Sequence, residues 1–218
     1  MLVLASGSPR RQALLSILGL QFQVQTSEAD ETLIHGESPQ DYVLRLAITK
    51  SKSIPPLTPG RRVVIAADTA VVDGKQILGK PANREQAINM LEQLCARTHS
   101  VLSGIAVRDI LREETYTELC ITQVLMRNYT KDEIRTYVAS GDPMDKAGAY
   151  AIQNTDFKPV AQISGCYANV VGLPLCHLAK LLERVGIPYD KGPIQGCRSG
   201  QSYNCRLIER ITALDIRE

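Results

Sequence analysis

The chain has 218 residues, of which 44% are hydrophobic and 22% charged, with a formal net charge of +2. This size and composition fit one globular α/β domain, and the balanced charge disfavours a protein held on nucleic acid by bulk electrostatics. No apolar run reaches membrane-spanning length, and the first residues lack the basic and apolar regions of a secretory signal. We therefore expect a cytoplasmic protein with no nucleic-acid or membrane partner.

Cysteine and histidine usage gives little sign of a metal centre. The six cysteines are scattered without a CxxC pair, so we expect reduced, structural thiols. The three histidines lie far apart in the sequence, which disfavours a preformed zinc site. A disulfide or a metal ion between Cys197 and Cys205 stays open as an alternative.

The first stretch of the chain combines an apolar strand, a polar turn and the start of a helix. Residues 2–5 are apolar, Ser8 is a typical N-cap, and Pro9 occupies the first helical position. A helix N-terminus attracts anions, and Arg10 and Arg11 add two charges with planar donor groups. The pattern predicts a phosphate-bearing ligand; the alternative is a plain capped helix whose arginines face water.

Asp68 interrupts the next strongly apolar strand. Residues 63–67 show no alternation, which is typical of a strand buried on both faces. A carboxylate at the end of such a run is costly to bury unless it is paired or bound to a metal, so we favour a functional role over a structural one. A hairpin turn at residues 73–74 would return the chain towards Lys80, near Asp68; otherwise Lys80 is a solvated loop lysine.

Residues 27–32 form an acidic segment before the second helix. Glu28, Asp30 or Glu31 could bind a divalent cation through carboxylate oxygen, or the segment is a solvated loop. Ser38 caps the helix that follows, which runs towards Lys50.

Further elements and the domain boundaries follow from hydrophobic periodicity. The sequence predicts helices over 84–94, 131–140 and 173–185, and strands over 22–24, 98–107, 114–127, 160–164 and 167–171. Small residues over 145–153 allow a close approach of the backbone to a ligand, or form a loop that feeds a strand. We expect residues 1–190 to form a single two-lobed domain and residues 191–218 a loosely held tail.

Taken together, these motifs resemble the Maf family of nucleoside triphosphate pyrophosphatases. The matching segments, in family order over residues 1–186, are 4–11, 30–32, 45–47 with Lys50, 67–69, 79–81, 98–101, 145–148, 152–153 and 170–174. The resemblance implies an α/β fold with an elongated mixed β-sheet in two lobes and flanking helices. It also implies a nucleotide cleft between the lobes, as in Maf and ITPase-like proteins, and a homodimer.

The resemblance further implies hydrolysis of dTTP and UTP, and of modified pyrimidine nucleotides, to the monophosphate and diphosphate. It assigns Asp68 as the catalytic proton acceptor and, as the positions that set substrate specificity, Arg10, Thr69 and Gln153. The phosphate-binding positions that it implies are Ser8, Arg11, Lys50 and Lys80. The resemblance also implies that Glu31 and Asp68 bind a divalent cation, Mg²⁺ or Mn²⁺. The sequence leaves open whether Asp68 takes a proton, holds the metal or does both.

Two other functions are weighed against this one. A nucleotide-binding regulator of septum formation or division arrest would need no turnover, and the intact set of Glu31, Asp68 and Lys80 disfavours it. A 7-methyl-GTP pyrophosphatase is disfavoured by Arg10, where that subgroup typically carries Trp. One departure from the family pattern is that Ala151 and Asn154 stand where relatives often have glycine.

Overall fold

The centre of the molecule is a seven-stranded mixed sheet, seen in a computed structural model that describes residues 1–55 and 62–189. Within these residues the strands are β1 (Leu2–Leu4), β2 (Gln23–Val24), β3 (Val63–Asp73), β4 (Gln76–Leu78), β5 (Thr98–Asp109), β6 (Glu114–Met126) and β7 (Val160–Ser164). The helices are α1 (Pro9–Ser16), α2 (Pro39–Lys52), α3 (Arg84–Leu94), α4 (Lys131–Ala139), α5 (Tyr167–Val171) and α6 (Leu175–Arg184). Two short 3₁₀ turns lie at Asp142–Asp145 and Ala147–Ala149.

The strand order is β2-β1-β3-β5-β6-β7, with β4 paired to β3. The β1 strand runs parallel to both neighbours, and the other pairs are antiparallel. The apolar run in β3 is buried along nearly its whole length, as its lack of alternation predicts. The predicted α/β fold with a mixed sheet and flanking helices is thus confirmed.

Two hydrophobic clusters pack against different ends of the long strands. The first contains Leu4, Leu15 and Ile65 together with the apolar face of α6. The second contains Leu91 and Tyr137, from α3 and α4 respectively. Because β3 and β5 contribute side chains to both clusters, the middle of each strand lies between two separate cores.

Local capping signals placed the starts of four helices correctly. The side chains of Ser8, Ser38, Asn83 and Thr130 each accept a hydrogen bond from a backbone amide three residues further on. None of the helices in the described part of the chain is long and apolar enough to cross a bilayer. The predicted tail and the pair Cys197 and Cys205 lie outside the described residues.

One predicted strand is wrong, because residues 167–171 form the short helix α5. Gly165 and Gly172, with φ of 132° and 125°, turn the chain on either side of it and so separate it from β7. Ala168 and Val171 are three residues apart and both are buried. Residues with this spacing lie on the same face of a helix but on opposite faces of a strand.

Gly104 allows α2 to lie directly on the sheet. A Cβ atom at this position would stand 2.4 Å from the carbonyl oxygen of Val43 in α2. Gly104 is also the register partner of Asp68 across the β3–β5 pair. Lys50 follows Val43 by about two helical turns, so this close contact carries its side chain to Asp68.

We expect Gly104→Ala to lower the free energy of unfolding by about 1–3 kcal/mol, because the added methyl group meets helix backbone that cannot rotate away. Urea denaturation followed by circular dichroism measures the change. Gly79→Ala is the matched control, since nothing lies within 4 Å of its Cβ position. Equal stability of the two variants would contradict a close α2–β5 contact.

Candidate functional site

A cavity of about 660 Å³ opens where the two cores meet. The N-terminal turn, the acidic segment, α2, β3 and the residue 145–153 segment all contribute to its lining. Every predicted site residue lines it: Ser8, Arg10, Arg11, Glu31, Lys50, Asp68, Thr69, Lys80 and Gln153. The structure therefore brings these residues together in one cavity, while the role of each stays a prediction.

Lys50 joins the two carboxylates of the cavity. Its Nζ lies 2.6 Å from Asp68 Oδ1 and 2.6 Å from Glu31 Oε1. Asp68 is only 7% exposed, so the ammonium group supplies the partner that a buried carboxylate requires.

The two carboxylates differ in acidity. Burial raises the pKa of Asp68 above its ordinary value, and it outweighs the opposing attraction of Lys50 and Arg11. Burial acts in the same direction on Glu31, but Lys50, Lys80 and Arg11 together hold the pKa of Glu31 below its ordinary value. Two neighbouring carboxylates whose pKa values are shifted in opposite directions are expected to have different roles. The one with the raised pKa suits a proton acceptor, and the one that stays ionised suits binding of a cation.

Arg11 is held in the cavity by neutral acceptors. Its Nε donates to the carbonyl oxygen of Gly172 at 2.9 Å, its Nη2 to Thr69 Oγ1 at 3.2 Å and its Nη1 to Ser6 Oγ at 3.4 Å. Burial lowers the pKa of Arg11, and the nearby charge of Asp68 opposes that effect. Since each of these acceptors is uncharged, the positive charge of Arg11 stays available to an anion.

Other cations lie around the same opening. Arg10 pairs with Asp145 at 3.7 Å, and both side chains are partly exposed. Lys80 lines the cavity, and its charge acts on Glu31, so the β3–β4 hairpin does return it to the site. Ser8 Oγ accepts a hydrogen bond from the backbone N–H of Arg11 at 3.5 Å, and Ser8 itself lines the cavity. The capped start of α1 therefore lies at the cavity wall.

Sequence reasoning assigned no role to the residues that hold the acidic segment. Tyr42 Oη donates to the carbonyl oxygen of Glu31 at 3.2 Å, and Arg45 donates to that of Thr32 at 3.1 Å. Arg45 also forms a two-pronged contact with Glu37. Tyr42 and Arg45 are three residues apart, so the sequence alone places them on one face of a helix. It does not reveal their partners, because these lie in a loop without periodicity.

An apolar end of the cavity is built around Tyr150. Val71, Val101, Ile152 and Val170 line the same region. The hydroxyl of Tyr150 lies 2.8 Å from His99 Nε2, and the two rings meet edge to face. His99 is 2% exposed, and burial lowers its pKa to about 4.

We expect the wild-type protein to lose stability between about pH 6.5 and pH 4 through His99. In this window the unfolded chain binds a proton that the folded chain does not, so the free energy of unfolding falls by roughly 3 kcal/mol as pH decreases. Urea denaturation at several pH values, compared with His99→Gln, isolates this contribution. Parallel pH profiles of the two proteins would contradict a buried, neutral His99.

Two carboxylates of the cavity are of the ligand type that a magnesium ion takes, and each contacts the Lys50 ammonium in this structure. Among the described residues, no group of three or more His, Cys, Asp or Glu side chains could enclose a metal ion. Magnesium usually takes one or two carboxylates and completes its shell with water and substrate phosphates. Glu31 and Asp68, which share Lys50, are a donor set of that kind.

The chain is similar to known proteins over most of its length. A family model described as Maf-like protein matches residues 1–185. A dTTP/UTP pyrophosphatase from Anaeromyxobacter dehalogenans is 46% identical over 190 residues, covering 86% of this chain and 95% of that protein. A second, from Geotalea uraniireducens, is 44% identical over 185 residues, covering 85% and 95%.

Likeness to solved structures is more distant. The structure of a HAM1 protein from Coxiella burnetii superposes with a TM-score of 0.44 and 15% identity, over 84% of this chain and 98% of that one. The family model and the sequence relatives each span most of the chain. The chain belongs to the Maf family.

Proposed function

We propose that this protein is a hydrolase that cleaves dTTP and UTP between the α and β phosphates, giving the monophosphate and diphosphate. The observation that carries the proposal is the buried Asp68, placed in one cavity with Arg11, Lys50 and Lys80. Relatives at 44–46% identity bear the name of this activity.

The charges of the cavity suit a triphosphate. Such a ligand carries about four negative charges, which four cationic groups from three separate segments can meet by hydrogen bonding and attraction. These groups are Arg10, Arg11, Lys50 and Lys80.

Asp68 is proposed to accept the proton of the attacking water. The water oxygen bonds to one phosphorus while the P–O bond of the anhydride breaks, and the other product leaves with the bridging oxygen. The proton of the water passes to the carboxylate of Asp68. Its raised pKa brings it closer to the range of an effective general base at neutral pH. Glu31 and Asp68 would hold a Mg²⁺ or Mn²⁺ ion, which when bound screens phosphate charge and acidifies water.

The proposed base site is the apolar end of the cavity. A uracil or thymine edge presents acceptor, donor and acceptor, which the amide of Gln153 can complement in part. Tyr150 offers a ring face beside it. The hydroxyl of Thr69 contacts Arg11 and Ser103, so we propose that Thr69 helps to hold Arg11, while its expected effect on specificity stays a prediction.

The finer features of the family remain proposals for this chain. They are a homodimer, a cytoplasmic location, and a part in removing modified pyrimidine nucleotides or in division arrest. The resemblance to the family supports them.

A substrate panel tests the proposed activity. With magnesium or manganese present, we expect diphosphate release from dTTP and UTP to be much faster than from ATP, GTP or 7-methyl-GTP. Diphosphate is measured with a coupled colorimetric assay. Equal rates on all these nucleotides would contradict the base preference, and no release from any would contradict the proposed reaction.

We expect Asp68→Asn to lower kcat by about 10²–10⁴-fold, because the amide cannot accept the proton. Isothermal titration with α,β-imido-dUTP should show that binding of the nucleotide persists. Asp132→Asn is the matched control, since the Asp132 side chain is 91% exposed on α4, and its rate should equal that of the wild type. An unchanged rate in Asp68→Asn would remove Asp68 from this role.

A further inference from the structure

We propose that Asn169, together with Ser103, is a positioning residue that fixes the guanidinium of Arg11 in the cavity. The inference rests on the proposed function, because it assigns Arg11 to the phosphates of the nucleotide. Neither Asn169 nor Ser103 lines the cavity, and both side chains are fully buried beneath it. Their effect therefore has to pass through the groups that they hold.

Asn169 fastens α5 to the sheet. Its Nδ2 donates to the carbonyl oxygen of Val101 in β5 at 2.9 Å and to Thr122 Oγ1 in β6 at 3.0 Å. The Thr122 hydroxyl also accepts a hydrogen bond from the N–H of Cys166, the residue before α5, and donates one to the C=O of the same residue. The short helix is thus fixed to two neighbouring strands by side chains rather than by a β ladder.

The far end of α5 holds Arg11. The carbonyl oxygen of Gly172, directly after the helix, accepts Arg11 Nε at 2.9 Å. Gly172 has a φ of 125°, a conformation that other residues rarely adopt, and it is this conformation that gives the carbonyl its direction. A shift of α5 would therefore move the acceptor on which the guanidinium rests.

A chain of hydroxyl groups makes a second link between Arg11 and α5. Arg11 Nη2 lies 3.2 Å from Thr69 Oγ1, which lies 2.8 Å from Ser103 Oγ, which lies 3.4 Å from the carbonyl oxygen of Asn169. A guanidinium can only donate and a carbonyl can only accept, so Thr69 accepts from Arg11 and Ser103 donates to Asn169; a proton donated by Thr69 to Ser103 completes the chain. The middle and the C-terminal end of α5 consequently both set the position of one cation.

A double-mutant cycle tests the inference. We expect Asn169→Ala to lower kcat/KM for dTTP by about tenfold or more, chiefly by raising KM, because the hydrogen bonds that fasten α5, and with it the acceptor of Arg11, are lost. In an Arg11→Ala background the same change should cost less than about twofold, since the group it positions is gone. A residue that only stabilised the fold would show the same loss in both backgrounds, and that result would overturn the proposal.

Two further variants guard against a folding defect. Ser103→Ala removes only the hydroxyl link and should lower kcat/KM by about threefold or more, again only when Arg11 is present. It replaces Asn169→Ala in the cycle if that variant does not fold. Thr130→Ala is the control, because it removes the capping box of α4 and none of the hydrogen bonds of α5, at a stability loss of about 1 kcal/mol. Its kcat/KM should equal that of the wild type.

A crystal structure of Asn169→Ala separates this inference from the proposed function. We expect the Arg11 guanidinium to leave its 2.9 Å contact with Gly172. An undisturbed Arg11 in the variant would overturn the inference whatever the activity. If the wild type released no diphosphate from dTTP, the proposed function would fail, and the position of Arg11 in the variant would still decide the inference.

Discussion

The ammonium group of Lys50, shared by Asp68 and Glu31, is the interaction on which the rest of the site depends. Its Nζ lies 2.6 Å from an oxygen of each carboxylate, and Asp68 stands on the central strand β3. Removing one partner of a buried ion pair typically costs about 3–5 kcal/mol, because the other charge is left without compensation. One cation therefore keeps the acidic segment, α2 and β3 in place at the same point.

Under the proposed function, the same arrangement would let one cavity hold both carboxylates and a highly charged ligand. Arg11 donates to neutral acceptors, so its positive charge is not neutralised by a carboxylate at hydrogen-bond distance. The charge of Lys50, in contrast, is already paired with Asp68 and Glu31. A triphosphate beside Asp68 would add negative charge, and like charges raise the pKa of a carboxylate. Binding of the ligand would then strengthen Asp68 as a proton acceptor at the moment when one is needed.

What could be predicted from the sequence is what local signals encode. The caps at Ser8 and Ser38 and the unalternating strand before Asp68 each depend on neighbours within a few residues, and the structure contains them. Helix α5 was predicted as a strand because its two adjacent valines favour β structure locally. Its actual conformation depends on the side-chain bonds of Asn169 to β5 and β6, which no local pattern reveals.

Apart from the hairpin that returns Lys80 towards Asp68, the meeting of the site residues could be predicted only through the family resemblance. Lys50 reaches Asp68 because Gly104 admits the backbone of α2, and that contact joins parts of the chain that are distant in sequence. The sequence shows a glycine in a strand, which is typical of a bulge or a close approach without naming the partner. Packing, not periodicity, decides which element fills that space.

The polar network beneath Arg11 is better explained by positioning than by stability. A carboxylate would hold the guanidinium more firmly, but it would also neutralise the charge that an anion requires. Within the described part of the chain, Asn169 Oδ1 is buried without a hydrogen-bond partner, and such a group costs about 1–3 kcal/mol. A well-packed apolar side chain would avoid that cost, yet it could not supply the two N–H donors that fasten α5. An asparagine at this position is therefore expected where the geometry of Arg11 matters more than the stability that it gives up.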